Sequence, residues 1–191
     1  NELIQDPTIL IETKAITATQ KGGYWEAVYP VGPDDNGTAD FLISFKDRAG
    51  NLGDNVSGPL QTQTQITLDN DAPSLTEVMI VSDNDYSSSL AKVGDNLTLS
   101  FKSNEDLQRP FVNLGGISKQ ASPVSGNFSE WEIIVGVTDN MTSMQDVSIS
   151  IPVVDLAGNR INNVTAADNT SVLVDRNTPI ISGVSLDTSN A

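Results

Sequence analysis

Oxygen is the only side-chain donor that this sequence offers a metal in quantity. It has 25 Asp and Glu residues but no Cys and no His. A disulfide framework, a thiolate nucleophile, an imidazole base and the usual zinc cluster are therefore excluded. What remains is hard-oxygen chemistry, and the acids suited to it stand among turn residues. They are Asp34-Asp35, Asp69 and Asp71 around Asn70, Glu105 after Asn104, and Asp155 at the head of Asp155-Leu156-Ala157-Gly158-Asn159. Ca2+ takes about six to eight oxygen ligands, several of them anionic, so acids gathered from separate loops suit it. Two carboxylates placed in one cleft could instead hydrolyse a glycosidic bond. These acids lie in loops and recur along the chain, which argues for architecture, and no enzyme is expected. The plainer use of the same residues is as turn formers that bond their own backbone.

The charge balance points the same way. Ten Lys and Arg against 25 Asp and Glu leave a net charge of −15, which repels nucleic acid and anionic membrane and attracts cations. No apolar run approaches the length of a membrane span, and Asn1-Glu2-Leu3 does not open a signal peptide, so the chain reads as an internal piece of something longer.

Whatever positions these acids is built more than once. Phe45-Lys46-Asp47-Arg48-Ala49-Gly50-Asn51 returns as Val153-Val154-Asp155-Leu156-Ala157-Gly158-Asn159, an offset of 155 − 47 = 108. Residues 66–73 return as 172–179, and Trp25-Glu26 as Trp131-Glu132, both at 131 − 25 = 106. Asn1-Glu2 with Pro7 returns as Asn104-Glu105 with Pro110, at 104 − 1 = 103. Val184, Leu186 and Asn190 then match Val78, Ile80 and Asn84 at 184 − 78 = 106, so a third copy begins before the chain stops. The repeat is thus about 106 residues long, and small loop insertions account for the drift. The predicted division is a partial repeat over 1–71, a complete one over 72–177, and the first strand of a following repeat, or a donated strand, over 178–191.

Within a repeat the apolar period is two, the period of strands. Val78 and Ile80 mark one strand, Leu97, Leu99 and Phe101 a second, and residues 111–114 a third. Trp131, Ile133, Val135 and Val137 line a long one; Val147, Ile149 and Ile151, then Val172 and Val174, mark two more. Short strands separated by turn residues predict an all-β, Greek-key β-sandwich with no helix. Pro152 cannot donate to a ladder, so a bulge or strand end is expected there. Trp25 and Trp131 are expected as core plugs, and Gly50 and Gly158 as positive-φ residues of a tight turn.

The string Leu90-Ala91-Lys92-Val93-Gly94-Asp95-Asn96-Leu97-Thr98-Leu99-Ser100-Phe101, with Ser103-Asn104-Glu105, Asp155-Leu156-Ala157-Gly158-Asn159, Val174-Asp175 and Pro179, resembles bacterial-type immunoglobulin-like repeats. Such repeats are strung along giant adhesins, surface-layer proteins and environmental filaments. The resemblance covers essentially the whole chain and implies tandem immunoglobulin-like sandwiches serving as spacers. Asp69-Asn70-Asp71-Ala72-Pro73 also looks like the calcium-binding linker of cadherins; at the second junction Arg176 stands where an acceptor is expected. In an immunoglobulin-like sandwich, the loops after the second and sixth strands lie where the chain enters and the loop after the fifth where it leaves. That topology sends Asp34, Asp35, Asp69, Asp71, Glu105 and Asp155 to the first junction, and they are the expected Ca2+ ligands.

Seven Asn-x-Ser/Thr sequons begin at Asn36, Asn55, Asn96, Asn127, Asn140, Asn163 and Asn169. With 17 Asn and 36 Ser and Thr in 191 residues, chance gives 17 × 36/191, close to three, so glycosylation is a candidate modification of exposed loops. The expected function is a structural module of an extracellular surface protein or filament. The alternative is a ligand-binding adhesin or a carbohydrate-binding accessory module, which would display an exposed aromatic cluster; Tyr24 and Tyr86 are its candidates. Expected partners are neighbouring repeats or copies of the chain joined by strand donation from 179–191, with neither nucleic acid nor membrane insertion.

Overall fold

The computed structural model describes residues 3–58 and 65–187. The chain divides into two compact units, Asn1–Asp71 and Ala72–Ala191, and among the described residues both are all β, with no helix.

The first unit carries β1 (Thr8–Ile11), β2 (Lys14–Ile16), β3 (Thr19–Lys21), β4 (Tyr24–Glu26), β5 (Gly37–Thr38), β6 (Phe41–Ser44), β7 (Val56–Ser57) and β8 (Thr67–Leu68). They pair antiparallel as β2-β1-β6-β7, β3-β4 and β5-β8. Ile9 and Leu68 are its buried apolar residues among those described.

The second unit carries β9 (Leu75–Ser82), β10 (Leu90–Ala91), β11 (Asn96–Ser103), β12 (Phe111–Leu114), β13 (Ile117–Gln120), β14 (Ser122–Val124), β15 (Asn127–Gly136), β16 (Gln145–Asp146), β17 (Ile149–Val154), β18 (Arg160–Val164) and β19 (Leu173–Val174). Period-two patterning makes the strands. In β11 the side chains of Leu97, Leu99 and Phe101 are buried while Asn96 is exposed; in β15 Trp131, Ile133 and Val135 are buried and Glu132 and Ile134 exposed. The register sets Leu97 against Val135, Leu99 against Ile133 and Phe101 against Trp131, so the apolar faces coincide. The sheet β14-β15-β11-β9 and the sheet β13-β12-β17-β18 feed one continuous apolar cluster, with Val112, Leu114, Ile151 and Val153 on the second side. Two antiparallel sheets on one core are consistent with a β-sandwich. A smaller sheet, β10-β19-β16, contains a parallel pair, β10 with β19.

Where the first unit has strands, the second repeats their order. The order β2-β1-β6-β7 corresponds to β13-β12-β17-β18, β3-β4 to β14-β15, and β5-β8 to β16-β19; β9, β10 and β11 are the additions. This explains a departure from expectation. Trp131 is fully buried, its strand flanked by β14 and β11, and its indole Nε1 donates to Phe128 O at 3.0 Å. Trp25 is only half-buried, because β4 pairs with β3 alone among the described residues and no counterpart of β11 covers it.

Pro152 lies inside β17, exposed, and the register against β18 shifts between Ile151 and Val153 around it. Residues 178–187 carry no assigned strand, and Ile181, Val184 and Leu186 are exposed. Residues 188–191 lie outside those described.

β9 ends its sheet, and its edge is covered from within. Asp168 Oδ2 accepts from Val78 N at 2.9 Å and Thr170 Oγ1 from Ile80 N at 2.9 Å, while Asp168 N donates to Val78 O at 2.6 Å. Two side chains thus satisfy edge donors that would otherwise template another strand.

Candidate functional site

Each unit contains the same hydrogen-bonded turn. In the second, fully buried Asp155 accepts on Oδ1 from Gly158 N (2.6 Å) and Asn159 N (2.9 Å), and on Oδ2 from Asn159 Nδ2 (2.9 Å). Gly158 has φ +106°, the left-handed conformation the turn requires. Gln108 Nε2 donates to Asp155 O at 2.9 Å, and Gln108 N to Val154 O at 2.9 Å. In the first unit Asp47 accepts from Asn51 N (2.8 Å) and Asn51 Nδ2 (2.6 Å), and Gln5 Nε2 donates to Asp47 O at 2.8 Å. Gln5 N donates to Lys46 O at 2.9 Å and Gly50 has φ +98°. The Asn51 side chain and then its backbone N–H hold the Asp47 carboxyl below the ordinary carboxylate range. The Asp of the motif therefore caps its own turn, and Gln5 and Gln108, which sequence reasoning passed over, tie that turn to the strand entry.

One pair of carboxylates approaches more closely than capping needs. An oxygen of Glu105, half-buried in the loop after β11, lies within 4.8 Å of an oxygen of Asp155, an arrangement with the donor chemistry for a metal ion. Ser103 Oγ donates to Glu105 O and anchors that loop. The other expected ligands belong to the first unit. Asp69 is half-buried and accepts from Asp71 N at 3.1 Å; Asp34 and Asp71 are exposed. Asp35 is engaged elsewhere: it accepts from Tyr29 Oη (2.6 Å), Gly32 N (2.6 Å) and Lys14 Nζ (3.0 Å). Those three donors, Tyr29 foremost, lower its carboxyl to about 2, and the Lys14 ammonium supplies the positive charge a cation would bring. Asp34, Asp35 and Asp71 join no group of acids close enough to share an ion among the described residues.

The linkers hold a second shared device. Asn70 Nδ2 donates to Asp35 O (2.6 Å) and Gly32 O (3.1 Å), and Asn70 N to Asn36 Oδ1 (2.7 Å). At the matching position, 176 − 70 = 106, Arg176 Nη1 donates to Asp139 O (2.6 Å) and Arg176 N to Ser143 Oγ (2.9 Å). The position is a donor clamp onto the loop after β4 or β15. Arg176 therefore makes donor contacts of the kind Asn70 makes. The next residue repeats as well: Asn177 N donates to Asp175 Oδ1 at 2.9 Å, as Asp71 N does to Asp69.

All seven sequon asparagines are exposed. Asn96 turns its amide to Asp83, donating from Nδ2 to Oδ2 at 2.8 Å. Tyr86, 94% exposed, lines an open groove with Lys92, Val93 and Arg176 but makes no ring contact; the ring contacts among the described residues are Phe128 with Trp131 and Lys14 over Tyr29. No described helix is long and apolar enough to cross a membrane. Neither a protein-family model nor a curated protein matches this chain.

Proposed function

We propose that the chain is a structural module of an extracellular surface protein or filament, built of tandem immunoglobulin-like repeats, and not an enzyme. The observation that carries this reading is the repetition of architecture. The Asp47 and Asp155 turns, the Asn70 and Arg176 clamps and the strand orders all recur, and all are scaffolding. The immunoglobulin assignment draws support from the second unit. Its first, second, fifth and fourth main strands would be β9, β11, β15 and β14, which share a sheet in that order, while the third and sixth, β12 and β17, pair in the other. Partners on this reading are neighbouring repeats, since arrays of stacked modules gain stability from their neighbours. Donation of 179–191 alone completes the first unit poorly, because its sequence matches β9, which pairs with β11, and β11 has no counterpart beside β4 among the described residues. The test is surface labelling of intact cells of the source organism with an impermeant reagent. Labelling of the exposed lysines is expected, and a protein protected until lysis overturns the extracellular reading.

Ca2+ at the first junction is part of this proposal. Glu105 and Asp155, both of the second unit, supply two carboxylates to it. An ion bound by the folded state alone raises stability with its concentration. Thermal unfolding is expected to shift upward on adding Ca2+ and to fall back with chelator. An unchanged midpoint, in wild type as in Glu105→Gln, removes the ion from the account.

A further inference from the structure

Two of the seven sequons stand apart. Asn55-Val56-Ser57 and Asn163-Val164-Thr165 are separated by 163 − 55 = 108, the offset of the Asp47 and Asp155 turns. Their strands correspond as well: β7 ends the order β2-β1-β6-β7, and β18 ends β13-β12-β17-β18. The register is the same to the residue. Val56 pairs with Ile43 and Val164 with Ile151, and both members shift by 108 (151 − 43 and 164 − 56). In each case the Val is half-buried and the Asn before it exposed; Asn163 lies within β18 and Asn55 directly precedes β7. In the second unit Ser150 Oγ donates to Asn163 Oδ1 at 2.8 Å, which fixes the amide oxygen and turns Nδ2 to the opposite side. Asn96, by contrast, has its Nδ2 committed to Asp83.

We infer that Asn55 and Asn163 are N-glycosylation acceptors at one repeated position, at the strand that ends each sheet order. The observations differ from a sequon count because two units present the motif at the same register, at the strand that ends the corresponding sheet order. That edge needs a cover. β9, the edge of the other sheet, has Asp168 and Thr170 across its donors, whereas among the described residues β18 and β7 close their sheet orders with no strand beyond them. An edge left open templates pairing with another chain, and a bulky hydrophilic substituent obstructs that approach. The donor implied is an oligosaccharide carried on a lipid pyrophosphate. Asn Nδ2 attacks the anomeric carbon, the N–C bond forms as the C–O bond to pyrophosphate breaks, the lipid pyrophosphate leaves with the electron pair, and Nδ2 gives up one proton.

The inference rests on the extracellular reading, and the experiment separates the two. Protein is purified from its source after surface labelling, and its peptides are mapped by mass spectrometry. Peptides holding Asn55 and Asn163 are expected to be heavier than their sequences by saccharide, with fragmentation placing the sugar on those residues. The bare peptides from surface-labelled protein overturn the inference and leave the location standing; protein protected inside the cell overturns both. Asn163→Gln and Thr165→Ala are each expected to lose the sugar at 163. Thr165→Ala keeps the Ser150 contact, so sugar persisting in that variant also overturns the inference.

Discussion

At the scale of single residues, the acids divide by what already satisfies them. Asp155 meets three N–H donors from its own turn, Asp35 meets Lys14, Tyr29 and Gly32, and Asp95 sits buried against Lys92 and Asn84. For Asp95 burial pushes the carboxyl up, but hydrogen bonds from Lys92 Nζ (2.6 Å), Asn84 Nδ2 (2.7 Å) and Lys92 N (2.9 Å) outweigh it and bring it down to about 2. A carboxyl lowered from 3.8 in the unfolded chain contributes stability that is complete above that pH and is lost as pH falls toward about 2. The unfolding midpoint of Asp95→Asn is therefore expected to lie below wild type at neutral pH and to converge on it in acid. Parallel curves across that window would show that Asp95 is not the titrating contributor. Sequence alone picked out Asp155 as a turn cap because Asp, Gly and Asn at fixed spacing carry that geometry locally. The ion pair of Asp35 was not legible, since its cation, Lys14, is 21 residues away on β2.

Among the strands, the legible ones are those whose alternation is enforced by burial on one face. Leu97, Leu99 and Phe101 in β11, and Trp131, Ile133 and Val135 in β15, announce their strands because a one-residue slip would expose every one of them. β13, with exposed Ser118, Lys119 and Gln120, and β18, with exposed Arg160 and Asn163, are edges that bury little, so their sequences carry no such pattern. Trp25 and Trp131 look alike in sequence and differ in the fold because burial depends on strands supplied from elsewhere in the chain. Trp131→Ala is expected to destabilise the second unit by roughly 3–5 kcal/mol, measured by denaturant unfolding, as large core aromatics do. Trp25→Ala is expected to cost less, and equal losses from the two would contradict the difference in burial.

At the scale of the whole molecule, a net charge of −15 is held without disulfides, by strand ladders and modest cores. Local charge pairing covers part of it: Lys14 with Asp35, Lys92 with Asp95, and Lys102 with Glu77 at 2.9 Å. Within the second unit the chain enters ahead of β9 and leaves after β19, and β10 and β19 run parallel. Leu173 N donates to Ser89 O at 2.9 Å and Asp175 N to Ala91 O at 2.8 Å across that pair. Tension applied to the two ends of the unit pulls parallel strands past each other along their length. Both bonds are then loaded together, in shear, and must break in concert; an antiparallel hairpin pulled from its open end surrenders its bonds singly. Because forced rupture is governed by the unfolding rate, this small patch resists traction out of proportion to its share of the stability.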